Sequence, residues 1–251
     1  GGGQAPDLWT NLFRLSWEQP LPLFGRFGLF GEYTNRKYEF HGENNFIPGT
    51  DDPWGTAHRM VVGANLFQPV HEQWAIVLAA DVRWHVEDGA SLSDGMSWTA
   101  TVGAGYRVNE KLDLGAGFIV QDSFGDELFF IGGPQIDWRP TPQWRFAIVG
   151  TELEIQYNLN RAWQFGGGGG FTGHRFRLDD DGPEPGGIAA ESRFPMYIQA
   201  RYRGIDDLDL TWRMGVDVTR EFRVEDSAGN TLRRFDSDPS PYISFRAIWR
   251  F

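Results

Sequence analysis

The sequence predicts an all-β chain folded as a transmembrane antiparallel up-and-down β-barrel. Three observations predict it. The first is composition. Of 251 residues, 15% are aromatic, with 11 Trp and 20 Phe, yet 23% are charged and mean hydropathy is -0.41. The longest apolar run, Trp74 to Ala80, has seven residues, while a membrane helix needs ~20. A barrel reconciles these facts, because only alternate residues of a strand face lipid. The second is a period-two alternation over most of the chain, with several apolar faces ending on Trp. A soluble sandwich also alternates, but a dry core gives no reason for Trp at both strand ends. A membrane barrel does, through an aromatic girdle at each edge of a band ~25 Å tall. The third is that short turns largely alternate with long polar loops, as they do at the two ends of such barrels.

Thirteen segments carry the strand pattern, near residues 8–18, 25–38, 55–67, 73–86, 96–107, 112–122, 127–139, 143–149, 152–158, 163–177, 193–204, 208–224 and 240–251. In the fourth, Trp74, Ile76, Leu78, Ala80, Val82 and Trp84 share one face, while Asp81, Arg83 and His85 share the other. In the fifth, Trp98, Ala100, Val102, Ala104 and Tyr106 alternate with Ser97, Thr99, Thr101, Gly103, Gly105 and Arg107. The sixth sets Leu112, Leu114, Ala116, Phe118 and Val120 against Asp113, Gly115, Gly117 and Gln121, and the twelfth sets Leu208, Leu210, Trp212 and Met214 against Asp209, Thr211 and Arg213. Short turns fall at 109–111, 141–143, 159–161 and 204–207, and long polar loops at 41–54, 87–95, 179–193 and 225–239. Single-chain bacterial barrels have even strand numbers, and the segments on either side of Gly150 are shorter than a spanning strand, so about twelve wall strands are expected, with fourteen the next choice.

No composition shift divides the chain, so residues 1–251 read as one barrel domain. The start, Gly1 to Asp7, has neither a basic stretch nor an apolar one, and reads as a flexible segment from which a leader has been removed. With no Cys, disulfides, thiolate metal sites and Cys nucleophiles are excluded. A net charge of -11 argues against nucleic acid as a partner.

At the C-terminus, Tyr242, Ile243, Phe245, Ile248, Trp249 and Phe251 alternate and stop on an aromatic residue. This resembles the last strand of the bacterial outer-membrane β-barrel superfamily, and the Trp-rich turns around 139–144 and 157–163 look like those of its uncharacterised families. The resemblance implies an outer-membrane location, with the C-terminus and short turns in the periplasm. It also implies an assembly signal in Tyr242, Phe245, Trp249 and Phe251, recognised by the barrel-assembly machinery through edge pairing. The partners expected are outer-membrane lipid, that machinery and other membrane or envelope proteins. The girdle is assigned to Trp74, Trp84, Trp98, Tyr106, Trp144, Trp163, Trp212 and Trp249.

Chemistry is sought on the inward phase. Candidate lumen-lining residues are Arg59, Asp81, Arg83, Arg107, Asp113, Asp137, Arg145, Glu152, Glu154, Arg201, Arg213, Asp217 and Arg246. Such a set either selects solutes by field and size or fills a narrow barrel with ion pairs. Inward Gly103, Gly105, Gly115 and Gly117 leave room in the lumen or permit curvature. None of the histidines 41, 58, 71, 85 and 174 sits in a Ser-His-acid pattern; His85 with Ser91 or Ser93 is the least implausible pair, so the chain reads as non-enzymatic. The acidic groups at 51–52, 179–184 and 225–226 lack the spacing of a calcium loop and read as solvated, so no metal or cofactor is expected. The leading function is a small porin-like pore with an Arg- and carboxylate-lined lumen. Its rivals are a closed barrel working through its loops or partners, and a lipid-modifying enzyme.

Overall fold

A computed structural model describes residues 6–21, 25–40, 53–124 and 127–249. Fifteen strands form one sheet: β1 (Asp7–Leu21), β2 (Gly25–Glu39), β3 (Thr56–Pro69), β4 (Trp74–Glu87), β5 (Met96–Asn109), β6 (Leu112–Ser123), β7 (Glu127–Trp138), β8 (Trp144–Val149), β9 (Glu152–Asn158), β10 (Trp163–Gly170), β11 (Thr172–Arg177), β12 (Ile188–Ile205), β13 (Leu208–Glu225), β14 (Thr231–Ser237) and β15 (Ser240–Trp249). Neighbours in the chain are antiparallel neighbours in the sheet. β10 and β11 are one strand interrupted at Phe171, and β14 and β15 one strand interrupted at Asp238 and Pro239, both pairing with β13.

Among the described residues, joining these halves leaves thirteen passes rather than the twelve or fourteen expected. β1 belongs to the wall, pairing with β2 from Asp7↔Glu39 to Leu21↔Gly25. The segments about Gly150 are two genuine short strands, with register Trp144↔Tyr157 to Val149↔Glu152. With an odd number of antiparallel passes, β1 and β15 run in the same direction. They lie side by side across a recess of about 230 Å³ lined by Leu12, Arg14, Arg246 and Ala247.

The loop assignments also shift. β12 begins at Ile188, inside the expected loop 179–193, and β14 occupies the middle of the expected loop 225–239. Asp226 turns the chain there: its side chain accepts from Ala228 N (3.0 Å), Asn230 N (2.8 Å) and Asn230 Nδ2 (2.9 Å). Of the segment 1–7 expected to be flexible, 1–5 lie outside the described residues, while Asp7 opens β1.

Glycine lets neighbouring strands approach closely. A Cβ on Gly168 would sit 2.4 Å from Leu153 O and 2.9 Å from Tyr197 Oη, so β9, β10 and β12 approach too closely for a side chain. Gly103 and Gly117 pair directly, and a Cβ on either would press on the opposite strand's backbone, which favours curvature over free lumen space. Gly168→Ala should therefore destabilise the folded barrel by about 1–3 kcal/mol, the range for overpacking. Gly31→Ala, where a Cβ meets nothing closer than 3.9 Å, should be near neutral. Urea unfolding in liposomes checks this, and equal effects would remove the steric explanation.

Candidate functional site

The lumen is not uniform along its axis. Towards the short-turn end all passes contribute. At the opposite end β5 to β10 drop out of the ring, because β11 crosses to β4, where Arg177 pairs with Val86 in parallel. The upper parts of β1, β2, β3, β4, β11, β12, β13 and β14 then surround the interior; among the described residues no ladder joins β14 to β1, and Leu8 and Phe235 close that side by packing on the shared cluster. An eight-strand ring has an interior that side chains just fill, and here they fill it. Tyr38, Trp54, Ala57, Phe176, Leu178, Ala189, Phe222 and Val224 form a buried cluster, with Leu8, Phe40 and Phe235 packed against it. The rings of Phe40 and Trp54 meet edge to face at 5.0 Å, Tyr38 stacks on Phe176 at 5.9 Å, and Trp54 meets Phe222 at 5.9 Å.

Directly beneath lies a polar layer. Arg220 Nε donates to Glu191 Oε1 (2.7 Å) and Tyr38 Oη donates to Glu191 Oε2 (3.1 Å). Arg220 Nη1 also donates to Pro6 O (3.2 Å), tying β13 to the start of β1. Arg36 Nη2 lies 2.8 Å from His174 Nε2; a guanidinium only donates, so this nitrogen accepts. Arg59 Nη1 donates to Glu32 Oε1 (2.6 Å), and its Nε donates to His85 Nε2 (3.1 Å). His85 Nδ1, 2.9 Å from Arg175 O, must donate to that carbonyl, so His85 is the neutral Nδ1–H tautomer. His85 therefore does not serve Ser91 or Ser93, whose hydroxyls bond each other (2.8 Å).

The remaining sequence-predicted lumen residues are mostly engaged with neighbours. Asp81 pairs with Arg83, and Arg201 with Asp209. Arg107 meets Asp113 at 3.2 Å, Arg145 meets Asp137 at 2.8 Å, and Arg193 meets Asp217 at 3.2 Å. Gln199 bonds Glu154, and Tyr197 Oη donates to Glu152 (2.9 Å). Arg213 lies over the Tyr197 ring at 4.3 Å and donates to Gln199 (2.9 Å). Arg246 lines the recess beside β1.

On the outer face, an aromatic chain marks the short-turn end. Trp74 meets Tyr106 at 4.8 Å, Trp144 meets Tyr157 at 5.0 Å, Trp163 meets Tyr202 at 4.9 Å, and Trp212 meets Phe245 at 5.5 Å. Trp138 with Phe146 (5.1 Å) extends it. Trp84 and Trp98 lie towards the other end, near the Trp84↔Met96 pair. Trp249 ends β15, with Tyr242 and Phe245 earlier in that strand; Phe251 lies outside the described residues, as do Asp51 and Asp52. Of the other acidic groups, Glu225 pairs with Arg175 and Asp179 Oδ1 accepts from Asp181 N (3.1 Å). Among the described residues no His, Cys, Asp or Glu group is arranged to hold a metal ion.

One arrangement escapes sequence reading. Asp88 Oδ1, His58 and Tyr33 form a carboxylate–imidazole–hydroxyl chain with contacts of 2.7 and 2.8 Å. Its members lie on β2, β3 and the turn after β4, and their spacing carries no motif.

The meandering antiparallel sheet, the outward apolar faces and the aromatic belt give the chain the fold of the outer-membrane type of β-barrel. The chain belongs to the family described as domain of unknown function DUF6268, whose model matches residues 58–248. No curated protein matches it. Among solved structures it is similar to the KdgM porin, with 10% identity, 98% of this chain and 97% of that one covered, and a TM-score of 0.41. The NanC porin matches at 8% identity over 98% of both chains, with a TM-score of 0.39. LpxR from Salmonella typhimurium matches at 10% identity over 96% of this chain and 88% of that one, with a TM-score of 0.38. The expectation of a non-enzymatic chain is corrected by this comparison. The enzyme LpxR stands among the matched structures beside porins and receptors, and catalytic groups need no fixed order in sequence, so a missing motif is no ground for excluding catalysis.

Proposed function

We propose that this outer-membrane barrel does not conduct solutes along its axis, and acts through its wall and long-loop surface on membrane lipid or envelope partners. The cluster of Tyr38, Trp54, Phe176 and Phe222 inside the eight-strand ring carries the reading. An ion crossing that layer would shed its water with no polar group to replace it, at a cost no passive pore tolerates. The pairing of lumenal Arg with carboxylates points the same way, since paired charges leave little field to select solutes. The lumen set is thus read as structural filling, with the girdle residues anchoring the wall in lipid. The short turns and the end of β15 are read as periplasmic, and that last strand as the edge grasped by the assembly machinery.

The rival porin-like reading draws on the charged lumen below the cluster, and one experiment separates them. Purified protein, inserted and folded in planar bilayers, should show no stepwise conductance. A steady unitary conductance from the unmodified chain would overturn the sealed reading.

A further inference from the structure

The wall is interrupted beside β7. Along one edge β7 pairs with β6 throughout, from Leu112↔Trp138 to Ser123↔Glu127. Along the other it pairs with β8 only from Gln135 to Trp138, because the β8–β9 hairpin turns back at Gly150, whose N–H donates to Pro134 O (3.0 Å). The hairpin's far side stops at Gly170↔Glu152, where Thr151 Oγ1 donates to Phe171 O (3.2 Å). Beyond it β11 pairs with β12 on one edge and reaches β4 only at Arg177. Among the described residues no ladder joins 127–133 to 171–176. Phe124, at the end of β6, spans the top of this break under Arg175 and Arg177, at 5.7 and 5.4 Å.

The chemistry at the break is apolar on both faces. Phe130 pairs with Val120 on the lipid-facing phase, and Ile131 with Ile119 on the lumenal phase. On this strand the lumenal phase presents Phe129 and Ile131, 44% and 50% exposed, back to back with Phe130 at 72%. Period two predicts one wet face and one greasy face; two greasy faces fit a strand that hydrocarbon touches on both sides. Open backbone edges are not tolerated against bulk lipid and require a lined, protein-framed space. Such a space adjoins the break. On the outer face, where Gly167 and Gly169 carry no side chains, lies an apolar groove of about 560 Å³ walled by Leu153, Phe194 and Met196 and ending at Thr151. Its volume falls within the ~300–1,000 Å³ of ligand sites. Phe194 stacks edge to face with Phe171 at 4.8 Å, so groove and break share a wall.

We infer that the groove and the break form one site for the hydrocarbon chain of a membrane amphiphile, which lies along Gly167 and Gly169 and passes between β7 and β11 to the lumenal face at Phe129 and Ile131. The groove is continuous with the lipid-facing wall, which makes an acyl chain its occupant. The site goes beyond the sealed axis and does not depend on it: bilayer recording reads one, lipid labelling the other.

The test is photolabelling of the intact chain in phosphatidylcholine vesicles doped with a phosphatidylcholine bearing a diazirine in one acyl chain, with sites mapped by mass spectrometry. Labels are expected at Phe129 or Ile131 as well as at Phe130, and at the groove. Met196→Trp, which fills the groove from an exposed position without touching the backbone, should abolish the groove labels and reduce those at Phe129 and Ile131. Labelling confined to outward residues such as Leu128 and Phe130 would overturn the proposal. So would lumenal labels that persist unchanged in Met196→Trp, or crosslinks between two copies of β7, which would make the free edge a protein interface.

Discussion

Glu191→Ala should cost the folded barrel about 3–5 kcal/mol, the range for breaking a buried ion pair by removing one partner. The side chains of Glu191 and Arg220 are 1% and 3% exposed, and Glu191 accepts two hydrogen bonds while facing a second guanidinium. Arg220 binds one oxygen, Tyr38 Oη binds the other, and Arg36 Nη1 lies at 4.0 Å. Removing the carboxylate leaves two guanidinia facing each other under an apolar roof. Glu39→Ala is the matched control: its pair with Lys37 (2.6 Å) is exposed, and such pairs are worth ~0–1 kcal/mol. Urea unfolding of the liposome-embedded chain, followed by Trp fluorescence, measures both. If the two substitutions cost the same, the polar layer is open to water and the interior at this level is not sealed.

Period two marked the strands, because within the lipid band one face must be apolar. It also marked the inward phase, so Asp81 with Arg83 and Arg201 with Asp209 were legible as lumenal residues, though not as pairs. Above the band the rule inverts. The outer face there needs no lipid, and the narrow ring asks for apolar filling. Tyr38 shares a phase with Arg36, Phe176 with His174, and Phe222 with Arg220. An aromatic residue entering the polar phase at the far end of several strands was the available signal. β14 was hidden for the same reason: Thr231–Ser237 carries Arg233, Arg234 and Asp236 and offers no lipid face. The crossing of β11 to β4 was not legible at all. It joins strands far apart in the chain, and follows from how early the β8–β9 hairpin turns. Alternation marked thirteen segments and the passes number thirteen; the expectation of twelve came from evenness, which is a habit of the class and not a consequence of the pattern.

Phe222→Ala carries the second large effect, and paired with Trp54→Ala it tests what the cluster does. Phe222 is 1% exposed at the centre of the ring, and Phe→Ala in a core costs about 3–5 kcal/mol. The single variant should lose that much and stay electrically silent, since Tyr38, Trp54 and Phe176 still close the layer. The double variant should conduct. Trp54 meets both Phe222 (5.9 Å) and Phe40 (5.0 Å), so removing the two rings joins their voids into a continuous path. Ions taking that path next meet Arg36, Arg59, Arg193 and Arg220 against Glu32, Glu191 and Asp217. With cations in excess on the wall, the opened lumen should prefer anions, and reversal potentials in asymmetric KCl read that preference. A folded double variant that stays silent would place the barrier lower, among the paired charges. A cation-selective one would mean that Glu32, Glu191 and Asp217 outweigh the four arginines in setting the field.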